Sequence, residues 1–140
     1  MAEASMTAPK LMRALRIKRL ARVLEMDAPV ELELLPVPEP GHSEVLIRVS
    51  ACGVCHTELD EIEGRSPPSC LPMIPGHQVV GSVVKEGPSC QRQLMGQRVG
   101  VAWIYSACGQ CEWCRAGLEN LCPEFVATGR DTAGGYAEFM

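Results

Sequence analysis

Aromatic side chains are scarce: two Trp, two Tyr and two Phe make up 4% of the 140 residues. With so few, and none interleaved with basic residues, the chain lacks stacking platforms for single-stranded nucleic acid. The net charge of -4 also argues against nucleic acid as a main partner. No apolar run approaches the ~20 residues of a membrane span, so no membrane partner is expected. No signal peptide is expected ahead of the domain. Internal repeats and low-complexity segments are missing too.

What remains is an ordinary globular composition, 46% hydrophobic and 21% charged, which does not suit a disordered chain. A length of 140 residues provides for one domain with a modest core, and not for two. Thirteen Gly and eleven Pro favour many short strands and turns over long helices. Eight cysteines would suit an oxidising compartment if they paired as staples. Their spacing points instead to metal, and so to a reducing cytosol and a cytoplasmic protein.

Six of the 13 basic residues (Lys10, Arg13, Arg16, Lys18, Arg19 and Arg22) lie close together near the start. Interspersed with Leu11, Leu15, Leu20 and Leu24, they read either as a basic amphipathic helix or presequence, or as a first strand over 13–17 followed by a solvated turn. The strand is the reading adopted, since Glu3 weakens the presequence. Residues 1–11 are expected to form a flexible tail and residues 12–140 the domain.

Further along, Val30-Glu31-Leu32-Glu33-Leu34 alternates apolar and acidic side chains, as a strand with one wet face should. Residues 36–41 are proline-rich and read as an extended connector outside any ladder. Residues 44–51 alternate again, with Val45, Ile47, Val49 and Ala51 assigned to one face. Residues 55–62 have helix-forming composition, and 63–75 are loop with four prolines. Strands are expected over 77–85, with Gly81 marking a bulge or close backbone approach, and over 97–104. A further strand starts at Tyr136. The result is a mainly β domain, a partly open barrel with short helices.

Two cysteine-bearing stretches carry the chemistry. Cys108, Cys111, Cys114 and Cys122, spaced x2, x2 and x7, fall within one compact loop that also holds Gly109 and Gly117. Zinc prefers four soft ligands in a tetrahedron, and this spacing wraps one ion with no open position. Two disulfides are the competing reading, but they would be strained in so short a loop. The second stretch is Cys52-Gly53-Val54-Cys55-His56-Thr57, with Pro75-Gly76-His77 about twenty residues later. Alone, Cys52 and Cys55 could be a thioredoxin-like redox pair, although no βαβ pattern surrounds them. Alone, His77 is more often an ordinary hydrogen-bonded histidine. Together, Cys55 and His77 could supply two of the three protein ligands of an open, catalytic zinc site.

Taken in order, Pro38-Glu39-Pro40-Gly41, Glu44-Val45-Leu46-Ile47-Arg48-Val49, Cys52-Gly53-Val54-Cys55-His56-Thr57, Pro75-Gly76-His77, Gly96-Gln97-Arg98-Val99-Gly100, the four loop cysteines and Gly134-Gly135-Tyr136-Ala137-Glu138 carry a resemblance. The chain is similar, over residues 12–140, to the N-terminal catalytic domain of zinc-dependent alcohol dehydrogenases in the medium-chain dehydrogenase/reductase superfamily. The resemblance implies a GroES-like fold with a zinc loop over 106–123. It implies Cys55 and His77 as catalytic zinc ligands, and Cys108, Cys111, Cys114 and Cys122 as the structural zinc site. It also implies Thr57 as the proton-passing hydroxyl, His56 near the cofactor pyrophosphate, and Trp103 as a wall of the substrate pocket. The reaction would be interconversion of alcohols and aldehydes or ketones by hydride transfer to NAD or NADP, with zinc as the Lewis acid. Partners would be the small-molecule alcohol or aldehyde and, in some arrangements, further copies of the chain as a homo-oligomer.

Three positions depart from the family pattern. Glu58 stands where Asp is usual, Asp60 where many members carry the histidine that ends a proton relay, and Gln78 where Glu is common. The chain also holds no Gly-x-Gly-x-x-Gly, so the Rossmann domain is absent from it. In the family that domain and the third catalytic ligand follow this region. The chain is therefore expected to be an incomplete portion, inactive alone and holding about one zinc tightly. The rival class is a zinc-ribbon-like binding or structural module without catalysis.

Overall fold

The computed structural model describes residues 8–25, 27–90 and 93–140. The first seven residues, most of the expected tail, lie outside the described residues.

Strand β1 (Leu11–Arg16) pairs antiparallel with β2 (Glu31–Pro36), from Leu11 opposite Pro36 to Arg16 opposite Glu31. Met12 and Ala14 point into the core at 4% and 1% exposure, so the period-2 pattern places the strand. The basic run is thereby explained without a helix. Arg16 and Lys18 both pair with Glu33 across the ribbon, and Arg13 binds Glu138 at 2.7 Å. Pro36, expected to stay out of any ladder, closes β2, where an edge position tolerates its missing N–H.

Strand β3 (Val45–Cys52) pairs antiparallel with β4 (Val79–Glu86), and β4 with β5 (Arg98–Val101). Of the expected face, Val45 and Val49 are half-buried and Ile47 buried, but Ala51 is exposed and Leu46 is buried as well. The β3–β4 register shifts between Leu46 and Ile47 and again between Val49 and Ala51. At the first irregularity Leu46 and Ile47 are both buried, so strict alternation of burial fails. Gly81 sits against this bend: a Cβ there would lie 2.4 Å from the Arg48 carbonyl oxygen and 2.4 Å from Ile47 Cγ2. It is the close backbone approach that a glycine inside a strand suggests.

The strand expected over 97–104 is broken into β5 and β6 (Ile104–Ser106), and β6 pairs with β7 (Val126–Ala127) at the base of the cysteine loop. Residues 136–140 insert between the two main sheets. Leu15 N–H donates to the Tyr136 carbonyl at 2.8 Å on one side, and Ile47 N–H donates to the Met140 carbonyl at 2.8 Å on the other. Isolated bridges from Ala137 to Ala14 and from Phe139 to Arg48 mark the same stitch. The layer thus runs β2, β1, residues 136–140, β3, β4, β5, and it does not close. Met12, Ala14, Leu46, Ile74 and Phe139 form its core cluster.

Helix α1 (His56–Ile62) follows β3, with Cys55 as N-cap. The cap is a capping box in which a thiol replaces the usual hydroxyl. Thr57 N–H donates to Cys55 Sγ at 3.4 Å, and Cys55 N–H donates to the Glu58 carboxylate at 2.7 Å. Spacing of three and four turns Glu58, Glu61 and Ile62 inward together. A second short helix, α2 (Glu112–Arg115), lies inside the cysteine loop. No helix among the described residues is long and apolar enough to cross a membrane.

Candidate metal centres

Sheet pairing brings Cys55 and His77 together. Cys52 at the end of β3 sits opposite Val79 at the start of β4, and Gly53 N–H donates to the Gln78 carbonyl at 2.9 Å. The two segments running on from that point, 53–55 and 75–77, therefore share one sheet end. Gly76 has φ +98, and a Cβ there would lie 2.4 Å from Tyr136 Cδ1 and 2.9 Å from Cys52 Sγ. Only glycine allows this turn, which aims His77 at α1.

Cys55 Sγ lies 3.5 Å from His77 Nε2. Bonds of about 2.3 Å from zinc to sulfur and 2.0–2.1 Å to nitrogen, at a tetrahedral angle, space the two atoms by about 3.5 Å. The pair therefore fits a metal ion. On the far side of the ring, His77 Nδ1 lies 3.0 Å from Glu58 Oε1, with side chains 8% and 3% exposed. The approach is close, although neither atom completes an aligned hydrogen bond. Glu58 is thus held between the Cys55 N–H and the rear of the imidazole, and its extra methylene does reach. The three groups Cys55, Glu58 and His77 form one cluster, and Cys52 stands outside it.

The expected neighbours of this centre fall as follows. Thr57 is half-buried beside Cys55. His56 is exposed, its Nδ1 3.4 Å from Asp60 Oδ2. Asp60 also binds Arg65 at 2.5 Å, and that guanidinium, before His56, holds the Asp60 carboxyl below its ordinary value. Asp60 is therefore an ion-pair partner and not a group that carries protons near neutrality. Trp103 stands with its ring 6.4 Å from the His77 ring and 5.2 Å from Phe125, and the Arg130 guanidinium lies 5.6 Å over its face. Gln78 is directed to Gly53 by its backbone.

The four-cysteine loop forms a separate cluster, with Cys108, Cys111, Cys114 and Cys122 ligand atoms all within 4.8 Å of one another. Cys108 Sγ and Cys114 Sγ are 3.9 Å apart, close to the ~3.8 Å that tetrahedral zinc imposes on two thiolates and far beyond a disulfide bond. None of Cys108, Cys111, Cys114 and Cys122 is in a disulfide. Backbone N–H groups of Cys111, Cys108, Cys114 and Glu124 donate to the sulfurs of Cys108, Cys122, Cys111 and Cys122 at 3.3–3.5 Å. Donors at Gln110 and Cys111 hold the Cys108 thiol down to about 7, while burial and then Cys111 push Cys114 up to about 12. Four thiolates cannot coexist there uncompensated, and a dication is what would let them.

Sequence reasoning missed Glu61 and Arg130. Glu61 is fully buried, and burial, then the Glu58 charge, push its carboxyl up to about 7. Its signal was present, three residues after Glu58 on a short helix, but among the acids at 58, 60, 61 and 63 it looked like one more solvated charge. An open apolar cleft of about 1040 Å³, lined among others by Met12, Leu35, Leu46, Tyr105 and Phe139, lies away from this chemistry and includes none of Cys55, Thr57, His77 or Trp103.

Comparison with known proteins agrees with this architecture. Residues 41–140 match the alcohol dehydrogenase GroES-like domain. A probable alcohol dehydrogenase AdhA of Mycobacterium tuberculosis is 47% identical over 116 residues, covering 79% of this chain and 34% of that protein. Among solved structures, a cobalt- and zinc-bound thermostable alcohol dehydrogenase from Pyrobaculum aerophilum superposes with a TM-score of 0.82 at 32% identity, over 93% of this chain and 38% of that one. A putative zinc-binding dehydrogenase from Sinorhizobium meliloti, bound to NADP, gives 0.80 at 31% identity over 94% and 36%. The chain thus spans about a third of the length of the curated relatives it matches. It belongs to the alcohol dehydrogenase GroES-like domain family of zinc-type medium-chain dehydrogenases.

Proposed function

We propose that this chain is the zinc-bearing catalytic portion of an oxidoreductase that interconverts alcohols with aldehydes or ketones, working with NAD or NADP in the cytoplasm. The observation that carries the reading is the 3.5 Å approach of Cys55 Sγ to His77 Nε2, backed by Glu58 on the other ring nitrogen. Cys55 and His77 would hold the catalytic zinc; Cys108, Cys111, Cys114 and Cys122 would hold a structural one.

When bound at the first site, zinc supplies Lewis acidity toward an alcohol oxygen. The chain's own residues do the rest of what is available here. Glu58 fixes the imidazole so that Nε2 faces the ion. The Thr57 hydroxyl, in the first turn of α1, takes the alcohol proton and passes it outward. Asp60 is tied to Arg65, so the outward path leads toward solvent at His56. Trp103, packed on Phe125, walls the pocket and excludes water from its inner side. For the dinucleotide the chain offers His56 alone. It carries no glycine-rich phosphate loop, so no hydride step is assigned to its residues.

The test is cobalt substitution. With the four-cysteine site filled by zinc, added cobalt(II) should give a single-thiolate charge-transfer band that Cys55→Ser abolishes. A wild-type chain without such a band overturns the reading.

A further inference from the structure

Six buried side-chain polar atoms among the described residues have no hydrogen-bond partner: Glu58 Oε1, both carboxylate oxygens of Glu61, His77 Nδ1, Thr128 Oγ1 and the Tyr136 hydroxyl. Glu58 Oε1 and His77 Nδ1 at least face each other at 3.0 Å; orphaned buried polar atoms are uncommon, and the others call for a water, an ion or a counter-charge. Most of these collect around the rear of one centre. Glu58 and Glu61 share the inward face of α1, one turn apart, and Glu58 reaches His77. The Tyr136 ring lies against Gly76, next to His77 in the chain, and the charges of Glu58, Cys52, Cys55 and Glu61 all act on its hydroxyl.

Glu61 is the extreme member, at 0% exposure with neither oxygen bonded. The cation whose field reaches it, Arg130, is committed to Asp131 at 2.7 and 3.1 Å and to the face of Trp103. An ionised carboxylate so placed is strongly unfavourable in the metal-free chain, and burial pushes its carboxyl up to about 7. Glutamine or leucine would fill the position without that cost. Next to it lies a site whose two chain ligands, one thiolate and one neutral imidazole, would leave a dication with net positive charge. Glu58 is already engaged by the Cys55 N–H and His77.

We propose that Glu61 is a positioning residue of the Cys55–His77 metal centre, a buried counter-charge one helical turn behind Glu58 that favours the dication and opposes the metal-free state. The inference rests on the metal reading above. It explains why a second carboxylate occupies the buried face of α1: its electrostatic penalty is offset only when the ion is in place. Glu61 would touch neither substrate nor metal, and it would act through Glu58 and the field at the site.

The experiment pairs two readouts on wild type, Glu61→Gln and Glu61→Leu, each with the four-cysteine site loaded with zinc. Cobalt(II) titration should show the Cys55 thiolate band at about tenfold higher metal concentration in both variants. Thermal denaturation without cobalt should show both variants melting a few degrees above wild type at pH 8. Opposite signs distinguish a counter-charge from a structural hydrogen-bond acceptor, whose loss would lower both. Unchanged cobalt affinity in the variants overturns the proposal, and so does a lower melting temperature or failure to fold in both. A wild type with no thiolate band removes the metal reading itself, which separates that failure from this one.

Discussion

Cys55 and His77 meet at 3.5 Å although 22 positions separate them, because β3 and β4 pair so that Cys52 faces Val79. The turn at Gly76, with φ +98 and no room for a Cβ, completes the approach.

Gly76→Ala should therefore cost about 3 kcal/mol, from a left-handed backbone and a contact with Tyr136 and Cys52. It should also displace His77. Chemical denaturation would measure the first effect and loss of the cobalt band the second. A stable variant with an intact band would show that the turn is more tolerant than its geometry implies.

Glu58 has two separable tasks, capping α1 through the Cys55 N–H and backing His77. Glu58→Gln keeps an oxygen for the cap but not the charge behind the imidazole. Its melting temperature should change little, while cobalt affinity at Cys55 should fall ten- to a hundredfold. Glu58→Ala loses both, with a further stability cost of about 1–2 kcal/mol.

The cysteine loop has little apolar cover of its own: Trp113, Leu118 and Leu121 are 37%, 42% and 49% exposed. Its order should depend on metal. Elemental analysis after chelator treatment should find one zinc per chain in the wild type and none in Cys111→Ser. Limited proteolysis should then cut the variant within 106–123 and leave the β3–β4 sheet whole. Thiolate ligands must be deprotonated, so the resistant zinc should be lost as pH falls.

The raised Glu61 carboxyl has a pH signature in chain without cobalt. A carboxyl whose folded value is about 7 binds more protons folded than unfolded between its ordinary 4.5 and 7. Its contribution to stability is thus full below about 4.5 and declines as pH rises through 7, by an amount on the order of 3 kcal/mol. The salt-bridged carboxyls of Glu33, Asp131 and Glu138, held below their ordinary values by Lys18, Arg130 and Arg13, act in the opposite sense at lower pH. The difference in melting temperature between Glu61→Gln and wild type should grow from pH 5 to pH 8. A constant difference would contradict the assignment.

Local patterns made much of this legible. The four-cysteine spacing, the alternation of β1 and the helix from 56 to 62 are all short-range signals, and the Cys55 and His77 motifs were each legible locally. What misled was anything that depended on a neighbour. Strict alternation of burial in β3 failed because the register shifts between Leu46 and Ile47, where both residues are buried. Residues 97–104 read as one strand, but the chain breaks at Trp103, whose ring packs with Phe125 and near His77.

By itself, then, the sequence determined which side chains have metal-binding chemistry, since residue type and spacing are properties of the chain. Tertiary structure alone decided their environment. Glu61 and Asp60 are neighbours on one acidic stretch, yet one is buried without a partner and the other is paired to Arg65 at the surface. Charge is written residue by residue, but the dielectric and counter-charges around it exist only once the segments carrying His77, Arg130 and Tyr136 have come together beside α1.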